Sequence, residues 1–366
     1  MLYVPILKNR TEEMRFLRDY NSFFSDQIIP LVEVISEIYK PNYLIDEKTG
    51  NCVYEIKQGN VKHTKVKLPD IEENIITLPH LISIVGGKKI FVDFFRFIDE
   101  EYDIQIDFSK IDLAVRNSRF FKIYKKHVLE LCGYSNVIPI ISIKNGLEMN
   151  ESALETMVSG IKLLDRQVGI RITSGLFEKY SNVLKRILSS DDYILFDIRE
   201  ENMDSQFMEL EDFQEFKTYA KKVLLNSPRK CEYRNTAYEE SGLTSLINNN
   251  VAKSYSEYGF TGYGDFAGLK DTLPRKMEGS KFGAALSLLY DYKINKFHVY
   301  KNSDTSLSIR GYKNLIKKIK DDQHILDPND NCCAMHKIDS IKCGNWATWN
   351  FITLLRYVDQ VHKNLH

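Results

Sequence analysis

Seven short apolar runs in the first two thirds of the chain share one design, and that design narrows the fold more than any other feature. Each is bounded by polar residues, is rich in β-branched and aromatic side chains, and carries one ionisable or hydrogen-bonding residue near its C-terminal end. The clearest is 88–95, Lys88-Lys89-Ile90-Phe91-Val92-Asp93-Phe94-Phe95. The others are 3–8 with Lys8, 28–35 with Glu33, 137–143 with Ser142, 168–173 with Arg171, 193–200 with Asp197 and 223–227 with Asn226. Apolar runs of this length read as strands buried on both faces, the mark of a parallel sheet. Polar groups placed late in such strands meet only if the strands are parallel and closed, or nearly closed, into a ring. That is the mouth of a (β/α)8 barrel.

The segments between the runs fit the same reading. Helical spacing of apolar residues is found in 11–24, with Thr11 as a cap, in 70–85 before Gly86-Gly87, and in the stretch ending at Cys132-Gly133. It recurs near 151–164, 176–188 and 207–221. Strands alternating with helices of this length make an α/β protein with right-handed crossovers. An open doubly wound sheet uses the same units, but no glycine-rich dinucleotide turn follows the first strand. The expected fold is therefore α/β and TIM-barrel-like over 1–275, with an eighth strand ending near Asp265. Residues 36–69, with Pro41 and the turn-like Glu47–Asn51, read as a hairpin inserted in a loop beside the mouth, where it could cover a pocket. Residues 276–366 read as a C-terminal α/β extension packed on the barrel. The glycines of 259–268 read as tight turns around the eighth strand, since their spacing is neither a Walker nor a dinucleotide pattern.

Charge and apolar content exclude several classes of function. Lysine plus arginine and aspartate plus glutamate each number 50, so no global field recruits polyanions. Nucleic-acid binding is not favoured, and the basic cluster Lys317-Lys318-Ile319-Lys320 reads as a solvated helix face. No apolar run approaches the ~20 residues that span a bilayer, and the N-terminus lacks a signal-peptide pattern, so a cytoplasmic protein is expected. Six cysteines are too sparse for a disulfide framework. Cys332, Cys333 and Cys343, with His336 between them, lack the paired spacing of a structural zinc site and read as thiols.

The candidate site is Lys8, Glu33, Asp93, Arg171, Asp197 and Asp265. In a barrel these converge at the C-terminal mouth, where barrel enzymes place their chemistry. Glu33, Asp93 and Asp197 are hard oxygen ligands suited to magnesium or manganese, and Lys8 and Arg171 could neutralise a phosphate or carboxylate. Two readings follow. One is a divalent-metal-dependent hydrolase acting on a phosphorylated or otherwise anionic substrate; two carboxylates alone could also serve glycoside hydrolysis. The other is a non-catalytic protein that recognises an anionic small molecule or a protein partner. No Gly-x-Ser-x-Gly elbow, His-Glu-x-x-His pair or Walker motif is present, which disfavours serine hydrolases, zincins and P-loop enzymes. A paired internal salt-bridge layer would use the same residues.

A family resemblance runs along nearly the whole chain. Tyr3-Val4-Pro5-Ile6-Leu7-Lys8, Ile29-Pro30-Leu31-Val32-Glu33, Gly264-Asp265, Arg310-Gly311 and Gly344-Asn345-Trp346-Ala347-Thr348-Trp349 occur in an order that resembles the bacteriophage beta-protein family. The resemblance implies a phage, prophage or bacterial mobile-island setting, and with it a part in antiviral defence for the recognition reading. It supplies no catalytic residues. The family's closing tryptophan with arginine and paired histidines is replaced here by Trp349-Asn350 and a lone His362.

Overall fold

The structure is a computed structural model describing residues 1–56, 63–102, 105–276 and 283–365. Eight parallel strands close into a barrel: β1 (Leu2–Lys8), β2 (Leu31–Val34), β3 (Ile90–Phe94), β4 (Val137–Ile143), β5 (Gly169–Thr173), β6 (Tyr193–Asp197), β7 (Lys221–Leu225) and β8 (Gly262–Asp265). Each pairs with its sequence neighbours, and β1 seals the ring against β8, Leu2 opposite Gly262 and Pro5 opposite Asp265. All but the start of β7 is buried, as the apolar runs required. The TIM-barrel-like α/β fold expected from those runs is the fold observed.

Helices α1 (Thr11–Asp19), α2 (Thr77–Val85), α3 (Asp112–Arg119), α4 (Phe121–Glu130), α5 (Glu151–Lys162), α6 (Phe177–Ile187) and α7 (Phe207–Glu215) occupy the connections. In α6, Phe177, Tyr180, Val183 and Leu184 recur at helical spacing and are the buried face. The chain leaves α2 through Gly86 at φ 61°, the left-handed stop expected there. The start of α1 differs from expectation. Arg10, not Thr11, is the capping position, and no side chain caps the helix; the Glu13 carboxylate instead accepts the Lys8 backbone N–H at 3.2 Å.

Two glycines of the 259–268 stretch have a role other than the turns expected of them. Gly262 and Gly264 lie inside β8, where β1 passes so close that a side chain has no room. A Cβ on Gly264 would stand 2.5 Å from the Val4 carbonyl oxygen and 2.6 Å from Leu225 Cδ2. Gly264→Ala should therefore push β8 away from β1 and cost about 1–3 kcal/mol, the usual range for overpacking. The check is a urea melt, in which the midpoint falls while the slope stays as in the wild type.

The extension does not begin cleanly at residue 276. Strands Ala285–Asp291 and Lys296–Asn302 form an antiparallel hairpin, and Ser241–Leu243, from the β7–β8 connection, adds a third strand to it. The terminal helix Trp346–Asn364 opens on a reciprocal cap between Asn345 and Thr348, then packs on both Ala285–Asp291 and α1. One continuous apolar core runs through barrel and extension. Within 36–69, Tyr54–Ile56 pairs with His63–Lys65, as the hairpin reading required. No helix among the described residues is long and apolar enough to cross a membrane.

Candidate active site at the barrel mouth

Strand register decides which polar residues meet. Lys8 stands opposite Glu33, Glu33 opposite Asp93, and Ser142 opposite Arg171, and paired residues share a face of the sheet. All point into the barrel. The Lys8 ammonium contacts the Glu33 carboxylate and lies 2.6 Å from Asp271 Oδ1. Arg171 is the hub: its guanidinium is 2.6 Å from Glu33 Oε1, 3.3 Å from Asp93 Oδ2 and 2.8 Å from Asp197 Oδ2. Ser142 Oγ donates to Asp93 Oδ2 at 2.6 Å. None of these side chains is more than a few per cent exposed.

Asp265, the sixth candidate, does not join them. It is paired with Pro5, three residues before Lys8 and therefore of opposite parity, so its side chain points outward to the helical layer. There it accepts hydrogen bonds from the Tyr357 hydroxyl at 2.5 Å, the Tyr3 hydroxyl at 3.0 Å and the Ala267 N–H at 2.8 Å. Burial pushes this carboxyl up to about 6, against the pull of those donors.

Residues beyond the strand ends complete the cluster. Arg199 reaches Asp271 Oδ2 at 3.2 Å, donates to the Tyr102 hydroxyl at 3.1 Å and pairs with Glu101; Tyr102 in turn donates to Asp271 Oδ2 at 3.1 Å. Asp271 and Tyr102 lie in loops after β8 and β3, where no periodicity marks them; Arg199 falls within the run 193–200 read as a strand, but the strand ends at Asp197 and Arg199 begins the loop after it. Burial alone would raise the Glu33, Asp197 and Asp271 carboxyls, but Lys8, Arg171 and Arg199 hold all three below their ordinary values. Burial likewise works against the charge on Lys8 and Arg171, and their carboxylate partners more than restore it.

The geometry does not suit Glu33, Asp93 and Asp197 to magnesium or manganese. The Arg171 guanidinium stands among the three and pairs with each. Among the described residues, the group whose ligand atoms lie within 4.8 Å of one another is Asp327, Asp330 and His336, far along the chain in the extension. Asp327 there already accepts the backbone N–H groups of Asn331 and Cys332. The cysteines do not join it, and all six are free thiols.

Above the ion-paired floor opens a cleft of about 710 Å³. It is lined by Glu101 and Tyr102 after β3, Lys144 after β4, Thr173 at the end of β5 and Gly175 after it, Asp197 at the end of β6 and Arg199 after it, Ser227 after β7 and Asp271 after β8. The cleft therefore lies on the C-terminal face, formed by successive strand-to-helix loops. No described residue of 36–69 lines it. The wall on that side is lined instead by described residues after β3, Ile98 and Ile106 among them. The Thr173 and Ser227 hydroxyls are buried without a hydrogen-bond partner. Lys144, 2% exposed, donates to the Arg96 carbonyl at 3.0 Å and lies over the Phe95 ring, with no carboxylate among the described residues paired to it. No protein-family model and no curated protein matches the chain.

Proposed function

We propose that the protein recognises a small anionic molecule in the cleft at the barrel mouth. The observation that carries this reading is the contrast between floor and wall. In the floor Lys8, Arg171 and Arg199 are all tied up in ion pairs with carboxylates, whereas the wall has Lys144, which makes no ion pair with a described residue, and two unpartnered buried hydroxyls, Thr173 and Ser227. Unpaired buried polar groups are costly, and sites that bind ligands are where they persist. The resemblance to the bacteriophage beta-protein family gives the reading a setting: a ligand-recognition component of phage–host conflict, acting in antiviral defence. Divalent-metal hydrolysis of a phosphorylated substrate is the competing reading, and the pairing of Arg171 with all three would-be ligands argues against it.

Gly175 provides the test. An added Cβ there would meet nothing within 4 Å, so a larger side chain has room beside the cleft without displacing the fold. The wild type should gain thermal stability with at least one compound from a panel of sugar phosphates and small carboxylates, by about 2.7 kcal/mol at a hundredfold excess over Kd. Gly175→Trp should melt at the same temperature without ligand and show no gain with any of them. Equal gains in both proteins would remove the cleft as the binding site. Stoichiometric magnesium or manganese retained through purification would favour the hydrolase instead.

A further inference from the structure

We propose that the corner of the cleft between the ends of β4 and β5 is a subsite for one phosphate group, and that the ligand is a phosphate monoester. This rests on the ligand-binding reading above and specifies where the anionic group sits. Three features meet at this corner. The 3₁₀ turn Ser174–Leu176 runs directly into α6, and Ser174 and Gly175 at its start line the cleft. The first N–H groups of a helix lack intrahelical acceptors and carry the positive end of its dipole, which suits an anion.

The second feature is Thr173, 9% exposed, on the cleft wall, with its Oγ1 unpartnered. The third is Lys144. Ile143 pairs with Ile172, so the Lys144 and Thr173 backbones follow side by side above Ser142 and Arg171, while the Lys144 ammonium rests on the Arg96 carbonyl over the Phe95 ring, from which it would turn toward a bound anion. Burial pulls the Lys144 ammonium below its ordinary value, and Glu101 and Glu33 offset only part of that cost. Glycine at position 175 leaves open space for the ligand.

The surrounding charges restrict the ligand to a single anionic group. Asp197 stands next to Thr173 on β6, but Arg171 and Arg199 offset its charge. Further out, Glu100, Glu201 and Glu232 line the cleft, and a second or third phosphate would lie among carboxylates. A polyphosphate or a nucleic acid backbone is thereby disfavoured.

The experiment titrates inorganic phosphate, and separately inorganic triphosphate, into the wild-type protein and into Thr173→Val and Lys144→Gln, reading binding by calorimetry and by ³¹P line width. The wild type should bind phosphate at least tenfold more tightly than triphosphate. Lys144→Gln should weaken phosphate binding tenfold or more, and Thr173→Val, which keeps the side-chain shape, severalfold with an unchanged melt. The valine variant serves alone if the glutamine variant does not fold. Phosphate binding of wild-type strength in Thr173→Val and in any folded Lys144→Gln overturns the subsite. If those variants also keep the panel compounds while Gly175→Trp loses them, the cleft reading survives and only the subsite fails. Triphosphate binding as tight as phosphate overturns the restriction to a monoester.

Discussion

Arg171→Met is expected to destabilise the protein by on the order of 3–5 kcal/mol, the usual cost of removing one partner from a buried ion pair. The figure is a floor here, since Arg171 faces Glu33, Asp93 and Asp197 together, all buried. Methionine fills a similar volume, so packing is nearly conserved and the loss is electrostatic. Against a total stability of about 5–15 kcal/mol, the shift in urea midpoint would be large. The pH dependence adds a second reading. Glu33 and Asp197 are held below their ordinary values, so the stability they confer is present above the unfolded carboxylate range near pH 4 and is lost as pH falls through their folded values. Without Arg171 those carboxyls take up protons more readily, and the variant should lose less stability than the wild type on acidification. A midpoint within error of the wild type would show that the layer carries no net weight in the fold.

Asp265 gives the opposite sign. Its folded value, pushed up to about 6, lies above the roughly 4 expected when unfolded. The native state therefore holds this proton more tightly than the unfolded chain. The stability gained is complete below about pH 4 and is lost as pH rises through 6. A proton held about a hundredfold more tightly is worth on the order of 3 kcal/mol. Other carboxylates drive the whole-protein curve the other way, so the quantity to measure is the stability of Asp265→Asn minus that of the wild type. That difference should move in favour of the variant by on the order of 3 kcal/mol between pH 4 and pH 7. A difference independent of pH would mean that the carboxyl titrates as if exposed.

Five of the six candidate residues were legible because the barrel converts a position late in a strand into a position at the mouth. What could not be read was parity. Asp265 sits as late in its strand as Asp197 does, yet it faces the tyrosines of the outer layer, because one step along a strand reverses the side chain. Asp271 and Tyr102 left no trace in any periodic pattern, and Arg199 lay in the run 193–200 but past the end of its strand, so loop geometry brings all three in. The charges themselves also did not say whether Glu33, Asp93 and Asp197 surround a metal or an arginine. That choice rests on distances of a few ångströms between side chains that are 26 to 138 residues apart from Arg171 in sequence. The hairpin in 36–69 was legible as a hairpin, but that its described residues do not line the cleft depends on packing that no local motif encodes.

The β1–β8 seam also bears on how the chain assembles. β1 is made first, yet the strand it must seal against lies 262 residues later, as the Tyr3–Asp265 bond measures. The fastening is completed by Tyr357 from the terminal helix, a further 92 residues on. Until then one edge of the growing sheet is open, with Tyr3 and its neighbours lacking their cover. Contacts of such range are slow to find, because the chain between them must be ordered first. During synthesis on the ribosome, β1 therefore spends the whole translation time of the barrel with that edge unpaired, and this is the interval in which a chaperone or a second nascent chain could occupy it.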